Sequence, residues 1–286
     1  MNAPSAPTLT LNNGIEMPRL GLGTWPMKGR QASDAVTAAL ASGYRLIDTA
    51  AAYGNEQAVG TGMRDCGIAR SELFVTTKLA NAHHGYESAL RAYDASASAL
   101  GLDYIDLYLI HWPMPGLGLY VETWRALEHL FDTGAVRAIG VSNFKPAHLD
   151  TLIDATEIVP AVNQIELNPR TNRRDSRDHH SRTGIITESW SPLGHPGSDL
   201  LSEPVIRRLA TKYEKSPGQI VLRWHIELGL IATPKSATPQ RIAENIEIFD
   251  FEMTDSDVHA ISALDTGAVQ AVDSDQPLSP PPGVVS

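Results

Sequence analysis

Short, almost continuously apolar runs alternate with segments of helical period along most of the chain. Strand-like runs lie at 19–24, 46–50, 73–78, 105–111, 136–142, 161–167, 185–189 and 230–233. Helical-period segments follow them at 32–42, from about 56, and at 90–100, 121–131, 147–155, 173–182, 205–213 with 217–228, and 239–246. Strands without polar alternation are expected where a parallel sheet is buried on both faces. Eight such units predict an α/β fold, a (β/α)8 TIM barrel. An open doubly wound sheet is the competing architecture. Its dinucleotide-binding form carries G-x-G-x-x-G after the first strand, and Gly21-Leu22-Gly23-Thr24-Trp25-Pro26 lacks the third glycine.

The pattern adds an element at each end. Residues 8–11 and 15–17 flank Asn12-Asn13-Gly14, which predicts an N-terminal β-hairpin. Residues 254–264 predict an extra C-terminal helix capped by Thr254, with Asp257 three residues on. The Pro-rich tail from Gln276 cannot sustain helix or central strand, so it is expected as a loop over the barrel mouth or as disordered chain. A length of 286 residues suits one barrel domain over 1–286, with the barrel at about 18–250 and the helix and tail at 251–286.

Composition narrows the function classes. A net charge of −10 without a concentrated basic face argues against nucleic-acid binding. The single cysteine, Cys66, allows neither an intrachain disulfide nor a cysteine metal cluster and fits a reducing compartment. It lies in a helical stretch beside Asp65, where a structural thiol is the expected reading. Residues 1–7 lack the basic and apolar regions of a secretory signal, and no run reaches the ~20 apolar residues of a membrane span. No lipidation motif is present. A cytoplasmic protein without membrane attachment is the expectation.

In such a barrel, chemistry sits at the C-terminal ends of the strands. Asp48 and Lys78 each close an apolar run, and isolated buried charges are costly, so the two are expected to pair. Alone, that pair reads equally well as a structural salt bridge. Tyr53 follows Asp48 in the loop leaving the same strand, and a nearby ammonium would lower its pKa and improve it as an acid. His111 ends the fourth run beside Trp112, where a neutral imidazole could orient a carbonyl oxygen. An acid, its tuner and an orienting donor, with no nucleophile, suit protonation of an oxygen while hydride attacks carbon. No side chain supplies hydride, so a nicotinamide cofactor is required.

Several blocks then resemble the aldo-keto reductases. They are Gly43-Tyr44-Arg45-Leu46-Ile47-Asp48-Thr49-Ala50 with Tyr53-Gly54-Asn55-Glu56, then Thr76-Thr77-Lys78-Leu79, and residues 106–113. Gly140-Val141-Ser142-Asn143-Phe144, Pro234-Lys235-Ser236 and Arg241-Ile242-Ala243-Glu244-Asn245 complete the set. The match runs from about Thr8 to Asp265, and Glu188-Ser189-Trp190-Ser191-Pro192-Leu193-Gly194 is similar to the bacterial 2,5-diketo-D-gluconic acid reductase branch.

The resemblance implies an NADPH-dependent reductase of small aldehydes, ketones or keto-sugars, with Asp48, Tyr53, Lys78 and His111 as its catalytic tetrad. Gly23, Thr24, Trp25 and Asp48 are implied to border the cofactor. Ser142, Asn143 and Gln164 would hold the carboxamide, Trp190 would stack on the nicotinamide, and Ser191, Pro192, Leu193 and Gly194 would follow the pyrophosphate. Lys235, Ser236 and Arg241 would take the 2′-phosphate, favouring NADPH over NADH, with Glu244 and Asn245 at the adenine. Trp25 and Trp112 would wall the substrate pocket beside Tyr53 and His111. A monomer is the family default.

This chain departs from frequent family residues at Leu46, Ala80 and Asn168, and Ala80 removes one aromatic wall.

Other signals weigh less. The pairs His83-His84 and His179-His180 lack a metal-binding frame, so no metal is expected. The arginines between 170 and 182, interrupted by Asp175 and Asp178, read as a solvated helix face. Two other readings stand beside the reductase: an NADPH-binding sensor with little turnover, and a cofactor-free barrel isomerase or lyase.

Overall fold

A computed structural model of the chain describes residues 6–267 and 273–276. The N-terminal hairpin pairs β1 (Thr8–Thr10) with β2 (Glu16–Pro18). Eight parallel strands follow: β3 (Gly21–Gly23), β4 (Leu46–Asp48), β5 (Phe74–Leu79), β6 (Ile105–Ile110), β7 (Val136–Ser142), β8 (Val162–Glu166), β9 (Ile186–Trp190) and β10 (Ile231–Ala232). Parallel bridges Leu20–Ala232 and Gly23–Lys235 join the outer strands, so the sheet closes on itself.

The helices wrap this barrel: α1 (Gly29–Ala41), α2 (Glu56–Asp65), α3 (Tyr86–Leu100), α4 (Tyr120–Asp132), α5 (Pro146–Ala155), α6 (Arg174–Thr183), α7 (Pro204–Tyr213), α8 (Pro217–Glu227) and α9 (Pro239–Ile246). The extra helix α10 (Asp255–Ser262) is capped by Thr254, whose side chain accepts from the Asp257 N–H. Cys66 caps the end of α2, and its Sγ donates to the Met63 carbonyl at 2.8 Å.

Side-chain parity decides what faces the interior. Leu107 and Leu109 of β6 pack with Leu46, Phe74, Ala138, Val162 and Ile231 inside the barrel. Tyr108 and Ile110, one residue out of phase, join the helix-side core. By the same alternation Asp48 shares the phase of Leu46, Lys78 that of Phe74, Gln164 that of Val162, and Trp190 that of Ile186. Leu11 and Met17 of the hairpin complete the apolar interior layer. Asn12 Nδ2 and Asn13 Nδ2 bind the carbonyls of Pro160 and Arg137 at 3.1 and 3.0 Å, which fixes the hairpin beside the starts of β7 and β8.

Three details differ from the sequence expectation. β4 stops at Asp48, because after one more bond, Thr49 N–H to the Thr76 carbonyl (2.9 Å), a tight turn at Ala51–Tyr53 takes over. α3 begins at Tyr86, after Gly85 with φ +101°, and its first turn is held across to α4 by Tyr86 N–H to Glu122. Such a partly exposed first turn carries little apolar period. The third concerns the arginines before and within α6, which are not uniformly solvated. Arg170 pairs with Asp199 and Glu203, and burial holds Arg173 and Arg177 below the usual arginine pKa. Arg174 and Arg182 are exposed, as expected.

The segment 273–276 returns to the barrel. Ser274 Oγ donates to the Asn143 carbonyl at 2.6 Å, and Lys145 and His148 pair with Asp275. The rest of the Pro-rich tail lies outside the described residues.

Candidate active site

Asp48 and Lys78 end neighbouring strands and meet inside the barrel. Lys78 Nζ lies 2.7 and 2.8 Å from the two Asp48 carboxylate oxygens and 2.9 Å from the Thr49 carbonyl. Lys78 is completely buried and Asp48 nearly so. Burial alone would lower the Lys78 pKa. Asp48, and after it Tyr53, outweigh that effect, so the ammonium is held above its ordinary value.

The short turn after β4 swings Tyr53 back over this pair. Its hydroxyl stands 3.5 Å from Lys78 Nζ. Asn55 anchors the turn: it accepts from Thr49 Oγ1 at 2.7 Å and donates to the carbonyls of Thr24 and Met27. Gly54 takes φ +59° to make the reversal, a conformation that favours glycine. From sequence, Lys78 is expected to lower the Tyr53 pKa. The ammonium does pull it down, but burial is the larger effect and Asp48 adds to it, so the phenol stays protonated and above its usual range. An ammonium so placed can therefore stabilise charge as it develops on the phenol, but does not hold a preformed phenolate.

His111 meets Tyr53 edge-on, with ring centroids 5.7 Å apart. Burial first, and the Lys78 charge second, lower its pKa to about 3, so the imidazole is neutral at physiological pH. The structure thus gathers Asp48, Tyr53, Lys78 and His111 at one mouth.

The expected nicotinamide contacts interlock beside them. Gln164 Nε2 donates to Asp48 Oδ2 at 2.8 Å, and Ser142 Oγ donates to the Gln164 carbonyl at 2.8 Å. Asn143, with φ +63°, donates to the His111 carbonyl at 3.0 Å and accepts from Trp190 Nε1 at 2.9 Å. Gly23 packs where β3 closes on β10; a Cβ there would lie 2.8 Å from the Thr233 carbonyl. Thr24 N–H donates to the Asp48 carbonyl, and its buried Oγ1 has no partner. Trp25 stands 57% exposed beyond them, and Trp112, partly exposed, has its carbonyl bound by His84 at 3.1 Å.

From Trp190 the chain turns tightly through Ser191, Pro192, Leu193 and Gly194, closed by Gly194 N–H to the Ser191 carbonyl at 3.0 Å. Leu193 then lines a cavity of about 430 Å³ with Lys235, Ser236, Arg241, Glu244 and Asn245. Among the described residues neither Lys235 nor Arg241 is engaged in a salt bridge with an acidic side chain. Two cations outside any such salt bridge and a hydroxyl, around one cavity that Glu244 also lines, fit a phosphate monoester.

Three of the four paired histidines serve the scaffold. His84 also contacts Thr123 Oγ1, His179 meets Asp150, and His180 lies between Asn163 and Thr187. No group of three or more potential metal-ligating side chains converges among the described residues.

Two acidic residues escaped the sequence argument. Glu166 is buried at the mouth and pairs with His195 at 2.6 Å. Glu188 is completely buried within β9. A charge inside an apolar run was the available signal, the same one that singled out Asp48. That signal alone also selects Asp106, which is buried out of phase with Leu107 and is matched by Arg70 and Arg137. Parity, and not charge alone, separates interior acids from structural ones.

The family profile described as Aldo/keto reductase family matches residues 19–266. An aldo-keto reductase of Mycolicibacterium smegmatis is 50% identical over 262 residues, covering 92% of this chain and 94% of that protein. A glyoxal reductase of Bacillus subtilis is 48% identical over 258 residues, covering 90% and 92%. A Bombyx mori aldo-keto reductase solved in complex with NADP superposes with a TM-score of 0.89 at 38% identity, covering 96% and 97%.

Proposed function

The chain belongs to the aldo/keto reductase family, and from that premise we propose that it is an NADPH-dependent oxidoreductase that reduces small aldehydes, ketones or keto-sugars to alcohols. The observation that carries the reading is the contact of Lys78 Nζ with both Asp48 and, at 3.5 Å, the Tyr53 hydroxyl, beside a neutral His111. When bound, the dihydronicotinamide supplies the hydride. Tyr53 donates its proton to the carbonyl oxygen. Lys78, kept charged by Asp48, stabilises the negative charge that this leaves on the phenol. His111 donates a hydrogen bond to the same oxygen without carrying charge.

Cofactor binding falls to residues on either side of this centre. Ser142, Asn143 and Gln164 would hold the carboxamide, and Trp190 would cover one face of the ring. Ser191 to Gly194 lead to the cavity where Lys235, Ser236 and Arg241 would hold the 2′-phosphate, with Glu244 and Asn245 at the base. Gly23 and Thr24 would border the ring through their place beside Asp48. Trp25 and Trp112 would flank the substrate.

The reading takes residues 1–286 as one barrel domain acting as a cytoplasmic monomer, without nucleic-acid or membrane partners. No helix among the described residues is long and apolar enough to cross a membrane. The motif at 188–194 favours the 2,5-diketo-D-gluconic acid reductase branch, and the glyoxal reductase relative adds small dicarbonyls to the candidates.

The test is NADPH consumption with glyoxal, methylglyoxal, keto-sugars, aromatic aldehydes and ketones. Turnover with at least one class is expected. Tight NADPH binding with no turnover on any of them would favour the nucleotide-sensor reading.

A further inference from the structure

Glu188 shares the interior phase of Ile186 and Trp190 on β9. It is 0% exposed, and neither carboxylate oxygen has a hydrogen-bond partner. Its register partner on β8 is Gln164, whose amide donates instead to Asp48 Oδ2. On its other side, β10 brings apolar Ile231 to the same level. The charged and titratable groups that act on it are Asp48 from β4 and Lys78 from β5, and Glu188 in turn acts on Tyr53 from the turn after β4. Lys78 is the one cation in that set, and its contacts go to Asp48, Thr49 and Tyr53.

An ionised Glu188 would place a second carboxylate beside Asp48 in a water-poor interior, where the neighbouring Gln164 amide favours its charge but already serves Asp48. Two neighbouring carboxylates sharing one ammonium do not both ionise readily.

We propose that Glu188 is a positioning residue for the reaction, an uncharged carboxylic acid behind the Lys78–Asp48 pair whose ionisation switches the cluster from neutral to net negative. The proposal rests on the reductase reading above. In the uncharged state the Lys78 charge is balanced by Asp48 alone, and its remaining field acts on Tyr53. Once Glu188 ionises, a second anion competes for that field. The phenol becomes a weaker acid, and carbonyl reduction slows. Burial, and after it Asp48, raise the Glu188 pKa to about 8, within the range where the enzyme can be assayed.

The test compares reductive kcat against pH for the wild type and E188Q, each normalised to its own maximum and at saturating NADPH. The wild type is expected to lose about tenfold between pH 7 and pH 9, and E188Q to lack that inflection. The same inflection in both proteins would overturn the proposal. Infrared difference spectroscopy reads the ionisation directly, without activity and without relying on the folding of E188Q. The wild-type holoenzyme should show a protonated-carboxyl band at neutral pH that disappears on alkaline titration. Its absence at neutral pH would overturn the proposal. The band should persist in Y53F, so a failure here is distinguishable from a failure of the reductase reading.

Discussion

Gln164 Nε2 donates to Asp48 Oδ2 across 2.8 Å, which links the strand expected to hold the cofactor amide to the pair expected to tune the acid. Substitution Gln164→Leu removes both functions at once. The Michaelis constant for NADPH should rise and kcat should fall, each by roughly tenfold, a loss of about 1.4 kcal/mol apiece. Steady-state kinetics at varied NADPH checks this. A change in the Michaelis constant alone would separate Gln164 from the tuning of Asp48.

The Asp48–Lys78 pair also bears on folding. Asp48→Ala leaves a buried ammonium without its carboxylate, a loss of about 3–5 kcal/mol. Urea denaturation should show a midpoint well below wild type. An unchanged midpoint would mean that water reaches Lys78, contrary to its complete burial.

Arg241 lines, with Lys235 and Ser236, the cavity proposed to take the 2′-phosphate. Arg241→Ala should weaken NADPH binding by roughly thirtyfold, about 2 kcal/mol, while NADH binding changes little. Tryptophan fluorescence titration with each nucleotide measures the difference. Equal losses for both nucleotides would move the 2′-phosphate away from Arg241.

Glu188 predicts a pH signature in stability. Its folded pKa is raised, to about 8, above the ordinary 4.5 of the unfolded chain. Between those values the folded protein holds a proton that the unfolded chain has released, so stability falls as pH rises through that window. E188Q removes the effect and should be more stable than wild type at pH 8, by several kcal/mol on the order expected for a buried acid, with little difference at pH 4. Chemical denaturation at the two pH values decides it. An equal difference at both would point to packing.

Much of the barrel was legible because parallel strands covered on both faces read as unbroken apolar runs. Val136–Ser142 and Pro239–Ile246 were delimited to the residue. Asp48 and Lys78 were legible for the converse reason, since a charge closing such a run needs a partner. The burial that keeps Tyr53 above its usual pKa was not legible, because it comes from the turn that Asn55 ties to the β3 loop. Glu188 opens a motif, residues 188–194, whose resemblance rests on its neighbours. Only the fold shows that β10 offers it an apolar neighbour and that the Gln164 amide of β8 is bound to Asp48. The return of Ser274 to Asn143 joins residues 131 positions apart, with no local pattern to mark it.

The most direct measurement is turnover by Tyr53→Phe, with NADPH affinity measured on the same protein. A phenyl ring keeps the shape of the site and removes the proton. The variant should bind NADPH as the wild type does while kcat for carbonyl reduction falls by about a thousandfold. Turnover close to wild type would contradict the account, because the proton would then come from elsewhere.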